Sequence, residues 1–219
     1  MSDNLKVDRA SVPPPTEEEI KKLLLVAHDG YGKIYGHKTM GIVARDWWGT
    51  LMQVRVYIFA STGCRVSESV FLKRKHFDFE KKMVYIIDAY TPSGKPKNRS
   101  GRTQGLSETA CNFLSKAFDK LELQPEDYVM SGSSDFIKTD AVRVCLKSIA
   151  TAAGLNPYAI FPHIFRVNMG TRISDKYGYV AAAEVLGHHD RGITVMQHYT
   201  RHAPKKQRDM TSKILDDFL

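Results

Sequence analysis

The segment TGCRVSE, residues 62–68, follows a long apolar stretch and begins a polar one. The preceding stretch, GIVARDWWGTLMQVRVYIFASTG at 41–63, carries apolar side chains on more than one face, which predicts a buried helix that ends at Gly63. Arg65 and Glu68 lie three positions apart and would share one face of the short helix that comes next. An isolated Arg-x-x-Glu pair is usually a surface ion pair, but an arginine directly after a buried helix can project over a groove.

The rest of the chain is predicted to be mostly helical. Thr16 is a plausible N-cap at the start of an ordered domain, and Ser107 is a plausible cap further on. Helical patterns occupy residues 15–30, 107–121, 139–154, 163–178, 179–187 and 209–219. The last of these is too short to be stable alone and is expected to dock on its own domain or on a neighbouring subunit.

One region has a strand pattern. Residues 77–88, FDFEKKMVYIID, alternate around a charged turn, which predicts antiparallel strands. Residues 89–107 contain proline, glycine, serine and several basic residues, and an exposed hairpin or loop is expected there.

Composition favours a soluble protein that binds a polyanion. The 219 residues are 42% apolar, enough for a real core, and the net charge is +8. Such a charge fits DNA, RNA or an acidic membrane surface, because neutralised phosphates release counterions. The sequence shows no signal peptide and no run long and apolar enough to span a bilayer. Three scattered cysteines without CxxC spacing fit small buried side chains in a reduced compartment, so we expect a cytoplasmic protein with no membrane partner.

Residues 1–15 are polar and end in a proline run. We expect them to be a flexible arm or linker remnant. The ordered domain is expected from residue 16.

Two further segments could carry chemistry. In HIFR, His163 and Arg166 are three apart on a helix that begins after Pro162, although a structural histidine is the commoner explanation of such a pair. In LGHHDRGITVMQHYTRH, residues 186–202, four of the eight histidines surround Tyr199. Adjacent histidines rarely chelate one ion, and no cysteine lies nearby, so neither a metal site nor a cofactor is predicted.

Other residues have simpler explanations. Tyr177 and Tyr179 flank Gly178 at a predicted helix junction, where we expect them to pack. The basic run KRKH, residues 73–76, is either a solvated surface or a phosphate contact.

The order of these pieces resembles the catalytic domain of the tyrosine recombinases, also called phage-type integrases. TGCRVSE, a basic hairpin, HIFR, LGHH and HYTR follow one another over residues 16–219. The resemblance implies an α+β fold, mostly helical with a small antiparallel β-sheet. It also implies an enzyme that cleaves and rejoins double-stranded DNA, usually as a homo-tetramer on paired sites.

Carried over residue by residue, the resemblance makes Tyr199 the nucleophile and Arg65 and Arg166 the phosphate-clamping arginines. His163 and His188 become the paired active-site histidines.

Glu68 matches an acid that the family often keeps beside its first arginine. The family's lysine general acid lies on a β-hairpin, where this chain offers Lys95 and Lys97; spacing slightly favours Lys97. The spacer between His188 and Tyr199 looks longer than is usual, so His189 is an alternative to His188.

These residue types suit phosphodiester cleavage. Two arginines can hold the non-bridging oxygens as charge builds on them, a histidine can take the tyrosine proton, and a lysine can protonate the departing 5′ oxygen. The guanidinium groups then supply the charge that a metal otherwise would.

Two other functions fit the same residues. A type IB topoisomerase-like enzyme shares the chemistry, and a DNA-binding module without catalysis shares the charge. The family's helical core-binding domain is not found ahead of residue 16, so residues 16–219 are expected to be a catalytic domain alone.

Overall fold

The computed structural model describes residues 13–29, 42–87 and 101–187, with side chains from residue 46 onward in the second range. Six α-helices, one 3₁₀ turn and three strands lie in this described part. The helices are α1 Glu17–Asp29, α2 Ile42–Thr62, α3 Val66–Ser69, α4 Glu108–Lys120, α5 Thr139–Ala152 and α6 Pro162–Leu186. The 3₁₀ turn is Arg74–His76, and the strands are β1 Phe77–Asp78, β2 Met83–Ile86 and β3 Arg102–Gly105.

Helices α1 and α4 begin, and α5 ends, at residues whose capping role the sequence predicts. The Thr16 hydroxyl accepts the Glu19 N–H at 3.1 Å, and the Glu19 carboxylate accepts the Thr16 N–H at 2.8 Å, which is a capping box. The Ser107 hydroxyl accepts the Ala110 N–H at the start of α4. Gly154 follows α5 with a φ of 67°, a conformation that glycine adopts at little cost.

Helix α2 is the centre of the core, as predicted. It packs against α1, α4 and α5. Leu51, Val54, Ile58 and Phe59 are fully buried on it, on more than one face. Arg55 is also buried. Its Nε donates to the Met130 carbonyl oxygen at 2.9 Å, so the buried guanidinium keeps a hydrogen-bond partner.

The small sheet is antiparallel, with the strand order β1-β2-β3. Val84 pairs with Gln104, and Ile86 pairs with Arg102. Since paired residues point to the same face, these four positions share one side of the sheet. Val84, Ile86 and Gln104 are buried, so this side faces the core.

The chain divides into two compact units, Met1–Arg166 and Val167–Leu219. In the second unit α6 is interrupted at Gly178, with a φ of 86°, so the two helical segments predicted on either side of that glycine are confirmed. Ala182, Ala183 and Leu186 form its buried cluster. The arm at 1–15 and the single catalytic domain at 16–219 stay predictions, and residues 1–12 lie outside the described part.

Within the described ranges, no helix combines the length and the apolarity that a membrane span requires. The α+β class, mostly helical with a small antiparallel sheet, is confirmed.

Candidate active site

The turn after α2 is built around Gly63. Its φ of 54° is left-handed, which ends the helix directly after Thr62. The Thr62 hydroxyl donates to the Ile58 carbonyl oxygen at 2.6 Å and accepts the Cys64 N–H at 3.2 Å. These bonds fix the direction in which the chain leaves α2, and Arg65 becomes the N-cap of α3.

Arg65, Glu68 and Arg102 form one charged network, which we call the arginine–glutamate triad. Glu68 accepts the Arg65 backbone N–H on Oε2 at 2.7 Å and Arg65 Nη1 on Oε1 at 2.6 Å. From β3, Arg102 donates Nη1 to Oε1 at 3.2 Å and Nη2 to Oε2 at 3.0 Å. Since a carboxylate offers about four acceptor positions, Glu68 is saturated by its two arginines.

The triad is largely withdrawn from water. The side chain of Glu68 is 3% exposed, that of Arg102 14% and that of Arg65 27%. Burial by itself raises the pKa of Glu68, but hydrogen bonds and charge from Arg102 and Arg65 outweigh it and hold the pKa below its ordinary value. The triad therefore carries one net positive charge at neutral pH, with Arg65 its most accessible member.

Arg166 reaches the same turn from α6. It is 1% exposed, and its Nη1 donates to the Gly63 carbonyl oxygen at 3.0 Å. Pro162 begins the helix, the position where a missing N–H costs nothing. The buried rings of Phe165 and Phe59 stack with centroids 6.2 Å apart and hold the start of α6 against α2.

His163 lies three residues before Arg166 on the same helix and is exposed. Cys64, between Gly63 and Arg65, is fully buried, and burial raises the pKa of its thiol to about 12. It is therefore an uncharged core side chain at neutral pH. All three cysteines are free and buried, as predicted.

Two arginines from distant parts of the sequence thus lie at one turn. Arg65 follows Gly63 by two residues and is held by Glu68, and Arg166 binds the Gly63 carbonyl oxygen. Guanidinium groups are planar, permanently charged and forked, which suits them to the oxygens of a phosphate. In the described ranges no three His, Cys, Asp or Glu side chains lie close enough to share a metal ion.

The sequence profile of the phage integrase family matches residues 16–206. The chain belongs to this family. No curated protein sequence matches the chain significantly.

Several solved recombinases and integrases are similar to this chain in fold. The XerA recombinase matches over 91% of this chain and 64% of its own, with a TM-score of 0.65 and 19% identity. XerH recombinase bound to a palindromic difH substrate, in a post-cleavage complex, matches over 92% of this chain and 53% of its own, with a TM-score of 0.61 and 20% identity. The Tn1549 transposon integrase in complex with transposon right end DNA matches over 92% of this chain and 66% of its own, with a TM-score of 0.59 and 17% identity. The chain therefore spans roughly half to two thirds of the length of these proteins.

Four of the predicted site residues lie in the described part of the chain. Arg65 and Glu68 are in contact, and Arg166 binds the turn that precedes them. His163 lies one helical turn from Arg166. The other predicted residues lie outside the described part of the chain, and they are Lys95, Lys97, His188, His189 and Tyr199.

Sequence reasoning missed Arg102. The sequence predicts an exposed hairpin or loop at residues 89–107, which include Arg102, whereas the structure places Arg102 on β3 with its guanidinium on the buried Glu68. Strand alternation could have indicated the position of Arg102, because Arg102 and Gln104 lie on the same face of β3 and Gln104 is buried. Without the register to Ile86, that alternation could not be assigned to an inward or an outward face.

The basic run at residues 73–76 makes contacts within the protein. Lys73 and Lys75 both donate to Glu126, at 2.9 and 2.6 Å. The guanidinium of Arg74 lies over the Phe79 ring, 5.0 Å from its centroid.

The packing expected for Tyr177 and Tyr179 is wrong, because they are 66% and 41% exposed. The interruption at Gly178 leaves them outside the buried cluster of the second unit, which is built from the alanines and leucine further along α6.

Proposed function

We propose that this integrase cleaves and rejoins DNA strands at specific sites through a covalent bond between Tyr199 and a 3′ phosphate. One observation carries the proposal. Arg166 donates to Gly63, 103 residues away in the sequence, and so reaches the turn from which Arg65 projects. Two guanidinium groups gathered at one turn, one of them fully buried, suit the binding of a single phosphate.

In the proposed reaction Tyr199 Oη attacks the phosphorus, and the bond from phosphorus to the 5′ oxygen breaks. The tyrosine proton passes to His163 or to the second histidine, His188 or His189. Lys97 or Lys95 gives a proton to the departing 5′ oxygen. Rejoining is the reverse, with a 5′ hydroxyl attacking the phosphotyrosine, so the energy of the broken bond is kept.

Arg65 and Arg166 would stabilise the charge that builds on the non-bridging oxygens. Such fixed donors act most strongly where water is excluded. Glu68 holds Arg65 by its backbone and its side chain together, so the guanidinium is oriented before DNA arrives. We infer that the reaction needs no metal ion, because the guanidinium groups supply this charge.

Double-stranded DNA is the proposed partner. The net charge of +8 favours a polyanion, and XerH and the Tn1549 integrase were solved in complex with DNA. We further propose that residues 16–219 act as a catalytic domain and that four copies assemble on paired sites.

The test is covalent capture. Wild-type protein is incubated in EDTA with a pooled library of nicked duplexes of randomised sequence, and adducts are resolved on a denaturing gel. We expect a DNA adduct from the wild type and none from Tyr199→Phe, since phenylalanine has no attacking oxygen. Tyr177→Phe is the matched control and should give the wild-type yield, because its ring is exposed and its hydroxyl has no proposed role.

Absence of an adduct from the wild type across the library, or an equal adduct from Tyr199→Phe, would contradict the proposal. Duplexes recovered from the adduct then serve to distinguish related activities. Joining of two duplexes in a tetrameric complex supports a recombinase. Relaxation of a supercoiled plasmid by single copies, without joining, would instead indicate a type IB topoisomerase-like enzyme.

A further inference from the structure

The segment that carries Lys95 and Lys97 joins β2 to β3 in the chain, and the described structure resumes at Gly101, one residue before β3 begins. We propose that Arg102 is a positioning residue: by binding Glu68, it ties β3, the strand that follows Lys95 and Lys97 in the chain, to the arginine that clamps the phosphate. This inference rests on the proposed function.

The connection between Arg102 and Glu68 is a two-point contact. The two terminal nitrogens of Arg102 bind the two oxygens of Glu68, at 3.2 and 3.0 Å. A forked pair of this kind fixes orientation as well as distance. The same two oxygens hold Arg65, so a displacement of Arg102 also displaces the support of Arg65.

One hydrogen bond and one close approach define the position of β3 beside its neighbours. The Gln104 side chain donates from Nε2 to the Ser61 carbonyl oxygen, at 3.4 Å, in the last turn of α2. At Gly101, an added Cβ would lie 2.5 Å from Tyr85 Oη and 3.1 Å from the Ile86 carbonyl oxygen. The chain therefore enters β3 through a close backbone approach beside β2.

The arrangement is maintained at a cost. Arg102 Nε is buried and has no hydrogen-bond partner among the described residues. A buried donor without a partner is unfavourable, and a lysine could pair with Glu68 without presenting one. Only arginine can bind both oxygens of Glu68 with two terminal nitrogens. This two-point contact fixes the orientation of β3 relative to Glu68, which lysine would not do.

The mechanism gives this idea a specific readout. If Arg102 positions the segment that carries Lys95 and Lys97, its loss should harm protonation of the leaving oxygen most. A DNA substrate with sulfur in place of the bridging 5′ oxygen expels a thiolate, which needs little protonation. A defect in positioning the lysine should therefore be smaller on the sulfur substrate, whereas a defect in folding should be equal on both.

The experiment compares Arg102→Lys with wild type in single-turnover cleavage of oxygen and sulfur substrates. We expect the variant to lose about 100-fold on the oxygen substrate. On the sulfur substrate we expect a loss of about 10-fold or less, with DNA affinity within about twofold of wild type because the charge is kept. Arg143→Lys is the matched control: that arginine is 47% exposed and pairs with Asp140, and the variant should cleave both substrates like the wild type.

Equal losses on the two substrates, or no loss on either, would overturn the role of Arg102 and leave the proposed function intact. Absence of cleavage by the wild type would instead overturn the proposed function. Should Arg102→Lys fail to fold, Arg102→Gln replaces it, since Glu68 keeps its ion pair with Arg65 and is not left as a buried unpaired charge. That variant must show the same substrate difference, and an equal loss on both substrates would count against the proposal.

Discussion

Two glutamates in this molecule each bind two cationic side chains, and they lie in opposite environments. Glu68 accepts from Arg65 and Arg102 at 2.6 to 3.2 Å, and its side chain is 3% exposed. Glu126 accepts from Lys73 and Lys75 at 2.9 and 2.6 Å, and its side chain is 64% exposed. The charges and distances are alike, so the two clusters differ in the type of cation and in their surroundings.

Hydrogen bonds from Lys75 and Lys73 lower the pKa of Glu126 to about 2. At an exposed site this shift indicates little about stability, because water and salt screen the pair and long side chains lose freedom in forming it. In the triad the same charges are withdrawn from water, where each partner depends on the others. The buried cluster should therefore be sensitive to single changes that the exposed cluster tolerates.

The largest difference is expected when lysine and arginine are exchanged. Arg65→Lys should slow DNA cleavage about 100-fold or more, because a lysine keeps the charge and loses the fork that holds phosphate. At the exposed cluster, Lys75→Arg should change the rate by less than about twofold. Single-turnover adduct formation measures both variants. A wild-type rate from Arg65→Lys would show that the fork is not used.

Glu68→Gln should be the next largest effect. Removing one partner of a buried ion pair leaves uncompensated charge, which costs roughly 3 kcal/mol of unfolding free energy. Urea unfolding followed by circular dichroism measures this loss. A change no greater than that of Glu126→Gln would mean that burial of the triad has no energetic consequence.

Acid should remove the contribution of Glu68. Its folded pKa lies below the ordinary value of 4.5, so its stabilising effect is fully present above pH 4.5 and is lost as the pH falls through the folded pKa. The difference in unfolding free energy between wild type and Glu68→Gln should therefore be constant from pH 7 to about pH 5 and shrink below that. A difference that grew on acidification would have the wrong sign.

The smallest effect is expected at Glu126. Glu126→Gln should lower the melting temperature by no more than about 2 °C at low salt, and the difference should vanish in about 1 M salt, where the screening length is about 3 Å. The effect of Glu68→Gln should persist in the same salt. If salt removed both effects equally, the two clusters would not differ in their access to solvent.

Local sequence signals predicted much of the fold. The apolar faces of α2, the glycine at its end and the caps at Thr16 and Ser107 each depend on residues within one or two helical turns. The pairing of Arg65 with Glu68 could be predicted for the same reason, since helix geometry places residues three apart on one face.

The contacts that organise the candidate site could not be predicted in this way. Arg102 meets Glu68 across 34 residues, and Arg166 meets Gly63 across 103. The first depends on strand register and the second on how α6 packs against α2 through Phe165 and Phe59. Neither contact produces a periodic pattern in the sequence. Arg102, which the sequence places in an exposed loop, is part of the buried triad in the structure.

The most direct test of the account is the identity of the residue that carries the DNA. Tyr199 is the one tyrosine in the tryptic peptide at residues 192–201. After nuclease and trypsin digestion of the captured adduct, mass spectrometry should find a nucleotide phosphate on this peptide, localised by fragmentation to Tyr199. A nucleotide on another peptide, or on another residue of this one, would contradict the assignment of the nucleophile.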